Sequence, residues 1–254
     1  MQKNIYLAIA VLLSSQAVAD ENNEIQDMSD PLAVYTQMGV GATDKGINVK
    51  VGQSFDTGRD TTMGMNVFEF KGAMGETFGW RDEANNSVDS MRFRHFGVDL
   101  TNGIGSQLDV NYDFNNESGA LSYSVIQALP AYGPLQLYPL IGVGAAFGNN
   151  VVGDDDHITS GYSVPGTFGM VGLYSKLDIT DNVWLNYNPM WMSSLSGSDI
   201  YKDQGVSGQS SAFAHEFIVS YQLTPRSNIR YYANWTEYDR FKNGDHRIEF
   251  NYQF

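Results

Sequence analysis

Four histidines and one run of acids are the residues in this chain best suited to chemistry. A hydrolytic site needs a nucleophile or paired acids with a histidine within hydrogen-bond reach. His157 stands beside Asp154, Asp155 and Asp156, and His246 follows Asp245. No GxSxG or HExxH signature accompanies any of the four, so the sequence carries no catalytic motif and the chain is expected not to be an enzyme. Clustered carboxylates at Asp154, Asp155 and Asp156 suit a hard cation such as Ca²⁺. They lack the alternating spacing and distal Glu of an EF-hand loop, and a solvated acidic loop tip is the better expectation. The 10 methionines, Met63, Met65, Met170, Met190 and Met192 among them, read as apolar filling rather than soft-metal ligands. No metal or cofactor is expected.

The elements that would position these residues are strands. From about residue 32 the chain repeats ten or so residues of alternating apolar and polar type, each followed by a cluster of Gly, Asn, Asp, Ser or Pro. Ile47, Val49, Val51 and Phe55 alternate with Asn48, Lys50, Gly52 and Ser54, and Leu108, Val110, Tyr112 and Phe114 with Gln107, Asp109, Asn111 and Asp113. The last segment sets Ile248, Phe250, Tyr252 and Phe254 against Arg247, Glu249, Asn251 and Gln253. A period of two puts one set on each face of a strand. Twelve such segments centre near residues 37, 51, 67, 95, 109, 124, 141, 170, 188, 217, 233 and 250. The first three are blurred, which leaves ten strands as an alternative and eight behind it. In the fourth, Met91 and Phe93 fall on one face and Phe96, Val98 and Leu100 on the other, which predicts a bulge near His95.

The ends and the composition give the setting. Residues 1–19 combine Lys3, an apolar run from Ile5 to Leu13 and small residues at Ala17 and Ala19, the pattern of a cleaved secretory signal. Nine apolar residues are too few to cross about 30 Å of hydrocarbon as a helix. Residues 20–31 are expected to form an acidic periplasmic segment and residues 32–254 the strand domain. No later stretch reaches the about 18 consecutive apolar residues of a transmembrane helix, and mean hydropathy is -0.29. With no cysteine the exported chain has neither disulfides nor thiolate metal sites. The 29 acids against 15 bases give a net charge of -14, which excludes nucleic acid as a partner because phosphate binding needs a basic face.

Connection lengths supply an orientation. Counting back from Phe254, the connections at residues 224–228, 178–182, 130–134 and 100–103 are short and alternate with the three longest, at 149–163, 195–208 and 75–88. Short periplasmic turns, long outward loops and both termini on the periplasmic side are the signature of an outer-membrane barrel. Aromatic residues near strand ends, Tyr138, Trp184, Trp191, Tyr221 and Trp235 with Tyr252, suit the two interfacial girdles of such a barrel. A soluble sandwich would instead bury Val, Ile and Leu and keep charges off its inner faces.

The closing segment HRIEFNYQF, with Phe250, Tyr252 and a terminal Phe254, resembles the last strand of bacterial outer-membrane β-barrel proteins, and LYPLIGVGAAFG (137–148) is similar to strands of OmpA-like and opacity-type barrels. The resemblance implies an all-β, transmembrane, antiparallel up-and-down barrel. It also implies recognition of Phe250, Tyr252 and Phe254 by the outer-membrane assembly machinery, and outer-membrane lipid and lipopolysaccharide as surroundings. It specifies no activity. On the expected lumen face stand Lys50, Asp109, Asp113, Lys176, Glu216, Arg230, Arg247 and Glu249. Charges of both signs there fit either an ion-pair network that fills the barrel or the lining of a selective channel. The leading expectation is a passive channel for small polar solutes or a structural surface barrel. Adhesion through the long acidic loops is the rival, with a rim-located hydrolase behind it.

Overall fold

A computed structural model of the chain describes residues 25–80, 85–154 and 157–254. Thirteen β-segments follow one another in a single antiparallel meander: β1 (Gln37–Thr43), β2 (Gly46–Asp56), β3 (Thr62–Ala73), β4 (Ser90–Asp99), β5 (Ile104–Asp113), β6 (Ser118–Gln127), β7 (Leu135–Val152), β8 (Ile158–Thr180), β9 (Val183–Tyr187), β10 (Met190–Gly197), β11 (Ser211–Thr224), β12 (Ser227–Thr236) and β13 (Asp245–Gln253). β9 and β10 both lie between β8 and β11 and form one barrel strand interrupted at Asn188 and Pro189. Proline has no N–H to give a ladder, which accounts for the break. The wall therefore has twelve strands, and β1 pairs with β13 over seven residues to close it. Closure removes every sheet edge, as a strand structure in hydrocarbon requires.

The connections divide by length between the two ends. At the end that holds residue 37 and Phe254, the links are residues 57–61, 100–103, 128–134, 181–182 and 225–226. At the other end stand 74–89 and 198–210, each carrying a helical turn (Gly75–Phe78 and Asp199–Gln204), while 44–45 is short and leaves the rim low between β1 and β2. The long connection expected at 149–163 is mostly sheet. β7 and β8 run on as a hairpin whose pairing continues through Asn149↔Tyr162 to Val152↔Ile158, above the ladders they share with β6 and β10.

Side chains alternate as the period requires. Outward-facing Val40, Phe68, Leu121, Ile141, Val143, Val171, Val219, Ile229 and Ile248 are exposed to the surroundings, and their inward neighbours are polar on most strands. β4 departs from the expectation. Its registers with β3 and β5 run unbroken from Ser90 to Asp99, so there is no bulge at His95. Instead Arg92, Arg94, Phe96 and Val98 all face inward, and the lower lumen wall is apolar there. Val67, Met65 and Val98 are buried against Val34, with Leu32, Met63 and Phe96 around them. The partner of this patch is the chain's own N-terminal segment.

Candidate functional site

The lumen is the concave, charged part of the molecule, and its residues come from nearly every strand. Its upper half is an ion-pair network centred on Glu69 of β3. Glu69 lies 2.9 Å from Arg247 Nη1, 3.5 Å from Arg94 Nη2 and 3.7 Å from Lys71 Nζ. Asn48 Nδ2 donates to Glu69 at 3.2 Å and to Glu249 at 3.0 Å, tying the two carboxylates together. Lys50 on β2 reaches over β1 to Glu249 on β13 at 2.6 Å. Glycine at position 39 makes that crossing feasible, since a Cβ there would stand 2.7 Å from Asn251 Oδ1 and 3.0 Å from Lys50 Cε. Arg92 grips Asp109 with two parallel bonds, Nε to Oδ1 at 2.9 Å and Nη2 to Oδ2, the fork geometry that guanidinium and carboxylate share. Glu216 accepts from Asn188 Nδ2 at 2.8 Å.

The charges are not equally placed with respect to water. The acids lie at the wall, with side-chain exposures of 3% for Glu69, 8% for Asp109 and 0% for Glu249. The bases paired with them are more exposed, at 11% for Lys50 and Arg247, 22% for Arg94, 26% for Lys71 and 36% for Arg92.

The lower half is occupied. Residues 26–34 run across the lumen at the end that holds residue 37 and Phe254. Gln26 exchanges bonds with the Gln253 side chain at 3.0 and 2.9 Å, Arg230 donates to the Met28 carbonyl, Lys176 pairs with Asp27 at 3.2 Å, and Tyr138 donates to Asp30 at 3.0 Å.

The expected lumen residues Lys50, Asp109, Lys176, Glu216, Arg230, Arg247 and Glu249 all stand on inward faces. Asp113 sits at the top of β5, where its carboxylate accepts from the Asn115 and Asn116 backbone N–H groups and holds a turn. Trp191, Tyr221 and Trp235 face outward as girdle residues do, and Trp235 stacks on His215 at 4.9 Å. Two girdle expectations are corrected. Tyr138 is fully buried and Trp184 3% exposed, both inside the barrel. Tyr138 there satisfies Asp30, and the Trp184 ring carries the Arg230 guanidinium 5.3 Å from its centre. An aromatic near a strand end serves the lumen when a charged group inside needs its hydroxyl or its π face.

Glu69, Lys71, Arg92 and Arg94, with Asn48 between the carboxylates, were not singled out from the sequence. Their signal is the doublet spacing of Glu69 with Lys71 and of Arg92 with Arg94 on adjacent strands, hidden by the inward Met65, Val67, Phe96 and Val98 below them.

Phe250, Tyr252 and Phe254 line the outer surface of the closing strand, with Tyr252 and Phe254 packed edge to face at 5.3 Å. The histidines stand apart from the lumen. His95 meets Asn66 Oδ1 at 2.8 Å, His215 meets the Tyr187 hydroxyl at 2.8 Å, and His246 meets the Tyr231 hydroxyl at 2.8 Å and the Phe241 carbonyl at 2.9 Å. Asp154 accepts from the backbone N–H groups of Asp199 and Ile200. Asp155 and Asp156 lie outside the described residues, and among the described residues no cluster of three potential metal ligands occurs.

No protein-family model and no curated protein matches the chain. Solved structures do. The NanC porin aligns with 86% of this chain and 98% of its own at a TM-score of 0.53 and 8% identity. The translocator domain of the autotransporter NalP from Neisseria meningitidis aligns with 100% of this chain and 98% of its own at 0.50 and 12%. The shared property is the fold, the closed antiparallel barrel of outer-membrane proteins.

Proposed function

We propose that this chain is an exported outer-membrane channel for small polar solutes, with a preference for anions. The observation that carries the reading is the difference in exposure in the upper lumen, where buried wall carboxylates are paired with the more exposed Lys71, Arg92 and Arg94. In a narrow aqueous passage between low-dielectric walls, the charges nearest the axis set ion preference, and confinement lessens their screening. The carboxylates hold the bases in fixed positions, so the ring of donors is built before a solute arrives. The outward aromatic faces suit a lipid and lipopolysaccharide environment. Phe250, Tyr252 and Phe254 suit recognition by the assembly machinery, and residues 1–19 suit a signal removed on export. The reading assigns no catalytic step to any residue.

The test is the reversal potential of the purified, refolded protein in a planar bilayer under a KCl gradient. The expected sign is chloride preference, and Arg92→Gln with Arg94→Gln should move it toward potassium. Cation preference in the parent, or a reversal potential indifferent to both substitutions, would overturn the proposal.

A second reading, surface binding, is favoured by the β7–β8 hairpin that stands above its neighbours. Removing residues 150–160 while the barrel still assembles should then abolish attachment to whatever surface the parent binds, and unchanged attachment would sink it.

A further inference from the structure

The N-terminal segment, taken together with the wall it touches, has the design of a gate. Its contacts fall on opposite sides of the barrel. Gln253 and Arg230 hold it from β13 and β12, Lys176 and Tyr138 from β8 and β7, and Leu32 and Val34 pack on the apolar patch of β3 and β4. A pocket lined by Leu32, Val34 and the walls of β3 to β7 leaves about 50 Å³ beside it. That holds one or a few waters and no larger solute. The segment thus spans the lower lumen from wall to wall and is packed closely against β3 and β4.

The wall is fitted to the segment. A water-filled pore has no use for Met65, Val67 and Val98 on its inner face, because apolar surface in contact with water is unfavourable. Here Val34 and Leu32 cover them, and Met28 is buried among Arg230, Asn228 and Gln222. The attachment is nevertheless separable from the barrel. Ladder pairing starts at Gln37, so residues 26–34 are held by side-chain contacts and their own turns while the wall closes without them. Being tethered to β1, the segment rebinds at an effective concentration of the order of millimolar, which keeps the closed state dominant even with modest contacts.

We propose that residues 26–34 are a resident gate, closing the periplasmic half of the lumen at rest, and that solute passes only when the segment leaves its seat. The gate rests on the channel reading given above and adds its regulation.

The experiment uses the full chain with Leu32→Asp and Val34→Asp, which put carboxylates against the apolar patch and leave every wall residue unchanged. A second variant lacks residues 25–34. Both are refolded, checked for barrel closure by heat-dependent mobility on gels, and compared with the parent in planar bilayers. The parent should open rarely, the double variant should raise open probability at least tenfold at unchanged unit conductance, and the deletion should conduct steadily. If parent and variants conduct alike, the gate is refuted and the channel stands. If all three are inserted, closed and silent, the gate is refuted together with the channel reading.

Discussion

Neutralising Glu69 isolates the energetics of the lumen network. Glutamine keeps the volume of the side chain and an acceptor for Asn48, so Glu69→Gln removes little but the charge. That charge faces Arg247 at 2.9 Å, Arg94 at 3.5 Å and Lys71 at 3.7 Å from a site that is 3% exposed. Removing one partner of a buried ion pair costs about 3–5 kcal/mol, because the other is left uncompensated. The three bases retain 11–26% exposure, and residual hydration of that kind places the expected cost at the low end, about 3 kcal/mol. Urea unfolding in lipid vesicles, followed by tryptophan fluorescence, reads it directly. With a slope of about 1–3 kcal/mol per molar urea, the midpoint should fall by roughly 1–3 M. Arg247→Gln, which also loses Glu249 at 3.5 Å, should be destabilising alone. The double variant should cost less than the sum of the two by at least about 1 kcal/mol, as expected for groups in direct contact. A cost for Glu69→Gln below about 1 kcal/mol, or strict additivity with Arg247→Gln, would mean that the network contributes nothing beyond separately hydrated charges.

Two further outcomes are expected. Deleting Phe254, whose backbone N–H bonds to the Thr36 carbonyl at 3.0 Å, should lower the amount of protein reaching the outer membrane, and normal levels would remove the terminal aromatic from the assembly signal. Acid should release the gate. Burial alone would raise the Asp27 pKa, but hydrogen bonds from the Ser29 hydroxyl and N–H, with the Lys176 ammonium, outweigh it and hold the carboxyl below its ordinary 3.8. A depressed folded pKa means that Asp27 stabilises the seated segment fully above the unfolded value and loses that contribution as pH falls through the lower, folded one. Open probability should therefore be flat from pH 7 to about 5 and rise only below about 4, with Lys176→Gln raising it at neutral pH and making the acid step smaller. An onset near pH 6, or a step of the same size in Lys176→Gln, would assign the release to other groups.

The wall of this barrel is legible in its sequence because each strand faces two different solvents, and a two-residue period is the direct record of that. Val219 and Ser220, or Ile248 and Glu249, could be assigned to opposite faces without reference to any other strand, and the registers place them so. Legibility failed where the inner solvent is not water. In β3 and β4 the lumen face changes from Glu69, Lys71, Arg92 and Arg94 above to Met65, Val67, Phe96 and Val98 below. Read as a wet face, its alternation slips by one residue, and the expected bulge at His95 is the artefact of that assumption. Tyr138 failed for a related reason, since its partner Asp30 is 108 residues away, and no local pattern marks an aromatic ring as belonging to a contact at that separation. The interaction that misled the reading in all three places is the same one, between the wall and residues 26–34.

Net charge is also a poor guide to such a molecule, and the reason bears on how its selectivity should be measured. The chain carries -14 overall, which would suggest repulsion of anions. Yet Glu76, Glu117, Asp154, Asp199, Asp203 and Glu237 are exposed at the outer end of the strands, while Lys71, Arg92 and Arg94 reach into the lumen. The acids at the rim sit in bulk solvent, where the Debye length is about 8 Å at physiological ionic strength and about 3 Å at 1 M. Those in the lumen are pinned beneath the bases and compensated by them. A solute thus crosses two regions of opposite sign, of which only the outer one is readily screened. Rising salt should quiet the rim and leave the lumen's preference standing, so an anion preference that strengthens between 0.05 M and 1 M KCl is the signature of this arrangement. A single acidic surface acting throughout would give cation preference at low salt that merely fades.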